Sequence, residues 1–429
     1  MRRLTIGCRI PLVLALAVFV TLPAFAQHEF LLRADRIFDG HEMREGEEIL
    51  VRDGMIVAVG SGIEVSSGAD VIELGDATLL PGLIDAHTHV LLHPYDETSW
   101  NDQVLKESRA ERVARATVHL RRTLEAGFTT IRDLGSEGAG YADVGIRQAV
   151  EKGIIPGPRI LVAGRAIVAT GSYGPKGFAP SVDIPLGAEE ADGVEGMIAT
   201  VRDQIGHGVD IVKIYADYRW GPNGEAMPTF SIEEMAAAVE TAVSSGRQVI
   251  AHAGTAEGMR RATMAGVATI EHGDGGTDEV FALMAERGVA LCPTLGAVDA
   301  IMRYHGWDGN EASVPDRIRQ KRDSFARAMA AGVAVCVGSD AGVFDHGGNA
   351  VELELMVQYG MPARKVLQAA TSGNARLLRL DDEIGAIREG LLADIVAVAG
   401  NPEENMSALY DVLLVMQRGN VIVRTDVEH

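Results

Sequence analysis

The sequence predicts an α/β protein with a TIM-like (β/α)8 barrel over residues 81–380 and a small β-sandwich domain built from both chain ends, residues 27–80 and 381–429. Between residues 78 and 380, short apolar runs alternate with amphipathic stretches, which is typical of repeated βα units. The two flanks hold short β-type runs, and neither flank could bury a core alone. The length of 429 residues fits one barrel with a modest appendage.

The barrel prediction depends on eight strand candidates. They are residues 83–89, 129–134, 159–163, 210–215, 248–252, 269–272, 290–294 and 334–338. Amphipathic segments separate them, and several end at a glycine, such as Gly266 and Gly288, that fits a helix C-cap just ahead of the next strand. An open doubly wound sheet is the alternative, although no glycine-rich phosphate turn follows the first strand.

The two flanks have a different sequence pattern from the barrel. The N-terminal flank contains β-type runs at 48–52, 55–59 and 70–73, with Asp53-Gly54 as a hairpin signal. The C-terminal flank contains similar β-type runs at 394–398 and 415–424. Together the two flanks predict one small sheet domain.

Residues 1–26 are predicted to be a secretory signal peptide. Arg2 and Arg3 precede an apolar run over residues 10–25, and Ala24-Phe-Ala26 has the small-residue pattern of a cleavage site. The apolar run is too short for a lasting membrane helix, although an uncleaved anchor is the alternative. We therefore expect export to a bacterial periplasm and no membrane association after cleavage.

The chain is strongly acidic. It has 39 Lys and Arg against 60 Asp and Glu, a formal charge of −21, and removal of residues 1–26 takes away three arginines and no acid, which gives −24. This charge argues against nucleic acid or anionic lipid as a partner, because both require a positive surface. A small-molecule substrate and a homo-oligomer both remain open.

Cys292 and Cys336 are the cysteines that remain after the predicted cleavage. Each lies within an apolar strand candidate. They could pair in an oxidising compartment, but buried free thiols are the expectation from this context.

The first candidate for chemistry is the pair His87 and His89, at the C-terminal end of the first barrel strand. Residues i and i+2 of a strand point to the same face, so both imidazoles project together. In a parallel barrel, this end of the strands carries the active site. Two converging imidazoles form half of a metal site.

Four more polar residues fall in the same layer. Lys213 interrupts the apolar fourth strand, where burial favours the neutral amine; pairing with a nearby acid is the alternative. His252, His272 and Asp340 end strands five, six and eight. A neutral lysine amine can react with carbon dioxide to form a carbamate, an anionic ligand able to bridge two cations. Six such side chains at the ends of five strands predict a metal centre.

This set resembles the amidohydrolase superfamily in its binuclear form with a carboxylated lysine. The similarity covers the mature chain, including Gly-Leu-Ile-Asp-Ala-His-Thr-His at 82–89 and Gly-Leu-Leu-Ala-Asp-Ile-Val-Ala at 390–397. The segments 170–175, 212–220 and 270–273 resemble the imidazolonepropionase-related dipeptidase group, which includes prolidase-like, Xaa-Arg/Lys dipeptidase-like and ochratoxinase-like enzymes. Imidazolonepropionase itself uses one metal and a loop histidine where this chain has Tyr173, so that activity is not assigned.

The resemblance implies two divalent cations. His87, His89 and Asp340 would hold one, His252 and His272 the other, with carboxylated Lys213 and a hydroxide as bridges. Paired cations about 3.5–4 Å apart polarise a carbonyl and acidify water. Asp340 is then the catalytic residue that moves the proton to the leaving amine. Imidazole and carboxylate ligands favour Zn²⁺, with Mn²⁺ or Co²⁺ as alternatives.

The remaining candidates lie on loops. Tyr173 could donate a hydrogen bond to the oxyanion, or it could anchor its loop. Tyr218 and Arg219 follow the fourth strand and would bind a substrate carboxylate, unless Arg219 pairs with Asp217 or with another acid of this acidic chain. His346 is a candidate at the cavity mouth. The other histidines, which are expected to be solvated, are His93, His119, His207 and His305.

The function predicted from these residues is hydrolysis of the amide bond of a dipeptide or an N-acyl amino acid. A glutamate three residues after the strand-five histidine is typical of the superfamily's deaminases, and this chain has Thr255 there. A lactonase or phosphoester hydrolase with the same metals is one alternative. A non-catalytic binding or scaffold barrel is another alternative, although a scaffold has no need of the proton transfer that Asp340 would provide.

Overall fold

The computed structural model describes residues 28–179 and 181–425. The predicted signal peptide lies outside these residues. Within the described part of the chain, no helix combines the length and apolar character that a membrane span requires.

The chain begins with seven strands that form parts of two sheets. Their bounds are β1 Glu29–Arg33, β2 Arg36–Phe38, β3 Met43–Glu45, β4 Glu48–Arg52, β5 Met55–Gly60, β6 Asp70–Glu73 and β7 Ala77–Pro81. Their burial differs, since β7 is buried throughout and β6 is mostly exposed.

The barrel follows, and its strands are almost entirely buried. They are parallel, and the register of β16 against β13 places His252 opposite Tyr215. The strands of this region are β8 Leu83–Thr88, β9 Phe128–Asp133, β10 Arg159–Val162, β11 Ile167–Val168, β12 Glu189–Glu190, β13 Val212–Tyr215, β14 Asp217–Arg219, β15 Ala226–Pro228, β16 Val249–Ala253, β17 Thr269–His272 and β18 Ala290–Cys292. Four short strands, β11, β12, β14 and β15, lie outside the predicted barrel strands.

The eighth barrel strand differs from its prediction. Residues 334–341 form isolated bridges instead of a regular strand. They still close the barrel, because the Cys336 amide donates to the Leu291 carbonyl at 2.9 Å and the Ala86 amide donates to the Val337 carbonyl at 2.8 Å. Gly338 permits the close approach to β8, since a Cβ there would lie 2.9 Å from His87 Cβ.

The last three strands return to the N-terminal sheets: β19 Ile395–Ala399, β20 Val412–Gln417 and β21 Asn420–Arg424. β19 pairs antiparallel with β7, so both chain ends share one six-stranded sheet, in the order β21-β20-β19-β7-β2-β3. A four-stranded sheet, β5-β4-β1-β6, faces it across a buried apolar cluster that includes Leu32, Ile49 and Ile395. The predicted barrel with an additional sheet domain from both ends is confirmed.

The helices connect the barrel strands. Ser231 caps α5 in a capping box with Glu234, and α6 and α7 end at the left-handed glycines Gly266 and Gly288, as the sequence predicted. Short 3-10 segments lie at Glu311–Ser313 and Met406–Tyr410, and a π-helical turn at Ala369–Gly373. The α-helices are α1 Trp100–Lys106, α2 Arg109–Glu125, α3 Ala142–Glu151, α4 Gly193–Gly206, α5 Ile232–Val243, α6 Ala256–Ala265, α7 Asp278–Arg287, α8 Leu295–Tyr304, α9 Asp316–Ala330, α10 Val351–Gln358, α11 Ala363–Gln368 and α12 Asn374–Leu377.

Cys292 and Cys336 form a disulfide bond, with their Cα atoms 4.8 Å apart. The expectation of two free thiols is therefore wrong. The two cysteines are 44 residues apart in sequence, but β18 and the 334–341 segment are hydrogen-bonded neighbours in the barrel wall. Adjacency in the closed barrel brings them together, and apolar context alone does not reveal it.

We expect the Cys292→Ala/Cys336→Ala double variant of the chain lacking residues 1–26 to lose about 2–4 kcal/mol of unfolding free energy, because a long loop is no longer closed in the unfolded state. Urea denaturation measures the loss. Reductant should lower the stability of the wild type by a similar amount and leave the double variant unchanged. Two reactive thiols in wild-type protein unfolded without reductant would contradict the disulfide.

Candidate metal centre and active site

The strand ends bring the six predicted metal-binding side chains into one place. His87 lies in β8 and His89 just after it, Lys213 lies in β13, His252 in β16 and His272 at the end of β17. Asp340 follows the closing segment. Five of the six, all except Lys213, line a cavity of about 460 Å³ at the C-terminal end of the barrel. Lys213 lies buried beside this cavity, and its Nζ is 5.8 Å from the ring centre of Tyr215, which lines it.

Asp340 lies among the imidazoles. Its Oδ1 is 3.6 Å from His87 Nε2 and 3.5 Å from His89 Nε2. One potential ligand atom each from His87, His272 and Asp340 lies within 4.8 Å of the others. The ring centres of His252 and His272 are 4.4 Å apart, so His252 adds a further imidazole donor next to His272. The spacing and the donor types fit a divalent cation.

The protonation states also fit a metal. Burial, with a smaller contribution from the Lys213 charge, lowers the pKa of His252 to about 3, and burial lowers the pKa of His87 and His272 well below the usual value. These imidazoles are therefore neutral at neutral pH, as metal ligation requires. Burial raises the pKa of Asp340 to about 6, so it is mainly a carboxylate at neutral pH.

Lys213 occupies an unusual environment for a lysine. It is 1% exposed, and its ammonium makes no hydrogen bond or ion pair within the described residues. Burial lowers the pKa of the amine to about 8. The alternative of a lysine paired directly with an acid is therefore not what the structure contains.

A second layer of hydrogen bonds orients the imidazoles through Nδ1. His87 Nδ1 lies 2.7 Å from Glu271 Oε2, His89 Nδ1 lies 3.0 Å from the Gly135 carbonyl, and His272 Nδ1 lies 2.8 Å from Thr294 Oγ1. An Nδ1–H that donates to an oxygen leaves Nε2 as the ligand atom. Glu271, which directly precedes His272, is not among the residues predicted from the sequence to form the site.

Backbone strain is concentrated around the same cavity. Seven non-glycine residues of the described chain have positive φ, and four of them form or support the site: Glu137, His272, Thr294 and Asp340. Such conformations cost about 1–3 kcal/mol each and persist where surrounding structure enforces them. The tight turns after the strands therefore set the directions of His272 and Asp340.

The predicted substrate residues Tyr173, Tyr218 and Arg219 all line the cavity. The Tyr173 hydroxyl donates to Glu137 Oε2 at 2.7 Å, so it is engaged by a carboxylate and anchors its loop. Arg219 makes no ion pair with any described residue. Asp217, its alternative partner, accepts instead from the Gly254 amide and from the Thr255 amide and hydroxyl, at the start of α6.

His346 does not line this cavity. Its ring is buried, lies 3.1 Å from the Leu92 carbonyl through Nε2, and stacks on the His119 ring at 4.3 Å. The placement at the cavity mouth is therefore corrected, because the stacked pair fits a structural role below the loops. His93 and His119 are also buried, contrary to expectation, whereas the exposed His305 lines the cavity.

Sequence reasoning missed several cavity residues. Tyr95 and Glu137 come from the loops after the first two barrel strands, and Trp100 begins α1. Lys176 and Arg317 also line the cavity, as does Tyr215, two residues after Lys213 on β13. The run Leu-Gly-Ser-Glu-Gly at 134–138 was a usable signal, since a glycine-flanked acid directly after a barrel strand is typical of a functional βα loop.

The fold and the site together define a barrel hydrolase with a candidate metal centre at its C-terminal face. The sequence profile of the amidohydrolase family matches residues 78–422. The chain belongs to the amidohydrolase family, whose members are metal-dependent.

Solved structures and curated relatives agree with this family assignment. A Xaa-Pro dipeptidase with methionine bound in its active site is 34% identical, with a TM-score of 0.81 over 92% of this chain and 99% of that one. A prolidase complexed with N-methylphosphonate-L-proline is 28% identical, with a TM-score of 0.80 over 92% and 100%. Ochratoxinase of Aspergillus niger is 26% identical over 407 residues, 87% of this chain and 81% of its own, and its crystal structure gives a TM-score of 0.78. The predicted resemblance is confirmed.

Glu271→Ala is expected to weaken binding of the metal near His87 by roughly 10–100-fold, because the imidazole loses the partner that fixes its ring and its tautomer. Chelator competition with Zn²⁺ measures the affinity. Glu286→Ala, on the exposed side of α7, is the matched control and should leave the affinity unchanged. Wild-type affinity in Glu271→Ala would show that His87 does not depend on this carboxylate.

Proposed function

We propose that this protein is a metal-dependent hydrolase that cleaves the amide bond of dipeptides or N-acyl amino acids with a free carboxylate. The observation that carries the proposal is the set of three cations at the cavity, Lys176, Arg219 and Arg317. None of them makes an ion pair with a described residue, although the chain carries a net charge of −21. Cations without a direct ion-pair partner, in the lining of a cavity in so acidic a protein, favour an anionic group on the substrate.

The similarities support the same substrate class. One structural relative is a Xaa-Pro dipeptidase with bound methionine, another is a prolidase with a phosphonate analogue built on proline, and a third relative is ochratoxinase. We infer that the present enzyme acts on a carbon–nitrogen bond close to a carboxylate. A small-molecule substrate of this kind fits a cavity of about 460 Å³.

We propose two divalent ions, most simply Zn²⁺, as the cofactors. His87, His89 and Asp340 would hold one, and His252 and His272 the other, with carboxylated Lys213 between them. The buried Lys213 amine, which has no ion-pair partner, supports the carbamate. Ions held there would supply electrophilic polarisation of the scissile carbonyl and a water nucleophile that is acidic at neutral pH.

The protein's own residues supply proton transfer and positioning. The Asp340 carboxylate accepts the proton of the attacking water and passes it to the leaving nitrogen, which departs as a neutral amine. Arg219 binds the substrate carboxylate with its planar guanidinium, and Tyr218 lies beside it on β14. The rings of Tyr215 and His252, stacked with centres 4.5 Å apart, wall the cavity next to the donor set.

We also propose that the protein works in a bacterial periplasm after removal of residues 1–26. The signal-like N-terminus and the Cys292–Cys336 disulfide support this location, since disulfides persist in oxidising compartments.

Asp340→Asn is expected to lower kcat by roughly 10²–10⁴-fold, because the amide keeps an oxygen near the metal and removes the proton acceptor. Steady-state hydrolysis of a dipeptide panel gives kcat, and elemental analysis gives the metal content, which should be largely retained. A kcat near that of the wild type would require another group for proton transfer.

Arg219→Ala is expected to raise KM steeply for dipeptides with a free C-terminal carboxylate and to change it little for the same dipeptides with the carboxylate amidated. The reason is that only the anion forms the charge-assisted bidentate contact. Arg260→Ala, an arginine paired with Glu257 on α6 away from the cavity, is the matched control. Equal hydrolysis of acid and amide by the wild type would contradict the carboxylate contact, and failure to hydrolyse any dipeptide would contradict the proposed function.

A further inference from the structure

A buried carboxylate, Glu137, lies in the cavity and takes no part in the metal centre described above. Its residue is 3% exposed. Oε2 accepts two hydrogen bonds, from Trp100 Nε1 at 2.9 Å and from the Tyr173 hydroxyl at 2.7 Å. Oε1 accepts none from the described residues, and Glu137 is among the residues that line the cavity. One oxygen of the carboxylate is therefore fixed, and the other is available to a ligand.

Among the described residues, no cation forms a direct ion pair with the Glu137 carboxylate. The buried Arg112 donates to the Glu137 backbone carbonyl at 2.7 Å, and its charge attracts the carboxylate without touching it. A buried carboxylate with one oxygen that accepts no hydrogen bond is only partly compensated. The residue also has a φ of +47°, so a tight turn holds it in place. A strained, buried acid with one unused oxygen is typical of a recognition site.

Aromatic rings line the same side of the cavity. The Tyr173 ring centre is 5.3 Å from that of Trp100, 4.9 Å from that of Tyr215 and 4.8 Å from that of Tyr218. The negative faces of such rings, together with one carboxylate, are the environment that binds an organic ammonium group. A neutral acyl group would gain nothing from the carboxylate.

The carboxylate also lies close to the metal centre. An ideal Cβ placed on Gly135 would be 3.3 Å from Glu137 Oε1 and 3.7 Å from His89 Cε1, so both atoms border one small space. A group held by Glu137 is thus adjacent to the donor set. In a dipeptide, the α-ammonium is separated from the scissile carbonyl carbon by a single Cα, which suits this short separation.

We propose that Glu137 Oε1, with the rings of Trp100 and Tyr173, binds the free α-ammonium group of the residue on the amino side of the scissile bond. This inference rests on the proposed function and narrows it: free dipeptides are better substrates than N-acyl amino acids. The substrate then spans the cavity with its ammonium at Glu137 and its carboxylate at Arg219. Glu137 is a specificity-determining residue that touches the substrate away from the reacting bond.

The test compares alanyl-proline with N-propanoyl-proline, the N-acyl amino acid that differs from it only by the missing α-ammonium group. The wild type should prefer the free dipeptide in kcat/KM, and Glu137→Gln should reduce that preference by roughly tenfold or more, the loss expected for one charge-assisted hydrogen bond. Glu286→Gln removes the same charge from an exposed helix position and should keep the preference. Equal losses on both substrates would mean that Glu137 only positions Trp100 and Tyr173, and would overturn the inference. No preference in the wild type would overturn it as well.

A binding measurement separates this inference from the proposed function. Calorimetry of the same two ligands, with an Asp340→Asn protein and with an Asp340→Asn/Glu137→Gln protein, reports ammonium recognition without turnover. Tighter binding of the free dipeptide that depends on Glu137 supports the site even if the wild type hydrolyses neither compound, in which case only the proposed function fails. Equal affinities of both ligands for both proteins would overturn the ammonium site whatever the hydrolysis assay shows.

Discussion

The geometry of the site depends on one ion pair sealed inside the barrel, between Arg132 of β9 and Glu271 of β17. Both side chains are at most 1% exposed and lie 3.1 Å apart. Glu271 also holds His87 Nδ1, and Arg132 donates to the Ala86 carbonyl of β8. Burying such a pair contributes little net stability, because desolvation offsets the attraction. The pair instead specifies the strand register, since β8, β9 and β17 must stay aligned for both charges to be satisfied.

A second buried network fixes the other side of the donor set. Asp85 of β8 accepts from the His87 amide at 3.0 Å, from the Ser339 amide and hydroxyl, and from Asn349 Nδ2 at 2.7 Å. It thereby ties β8 to the segment that lacks a regular ladder and carries Asp340. These side-chain bonds add to the backbone bonds of the segment, in which the Asp340 amide donates to the His87 carbonyl at 2.7 Å. Side-chain and backbone bonds together hold the irregular eighth strand, and with it Asp340, against β8.

The sequence predicted what local periodicity encodes. His87, His89, His252 and His272 sit at the ends of apolar runs, so strand direction alone was sufficient to bring them together. The features it missed depend on partners remote in sequence. The burial of His346 follows from stacking on His119, the disulfide from the adjacency of β18 and the closing segment, and the role of Glu137 from the hydroxyl of Tyr173. None of these contacts can be recognised from the periodicity of the sequence.

Net charge alone gives an incomplete account of the substrate. A chain at −21 repels polyanions at long range. At physiological ionic strength, however, charges separated by more than about 8 Å are largely screened. Inside the cavity, the local charges therefore decide, and both signs are present, since Arg219, Arg317 and the Glu137 carboxylate all belong to the lining. A zwitterionic substrate of the proposed kind can gain from both. The cavity of so acidic a protein can thus attract the carboxylate of the proposed substrate.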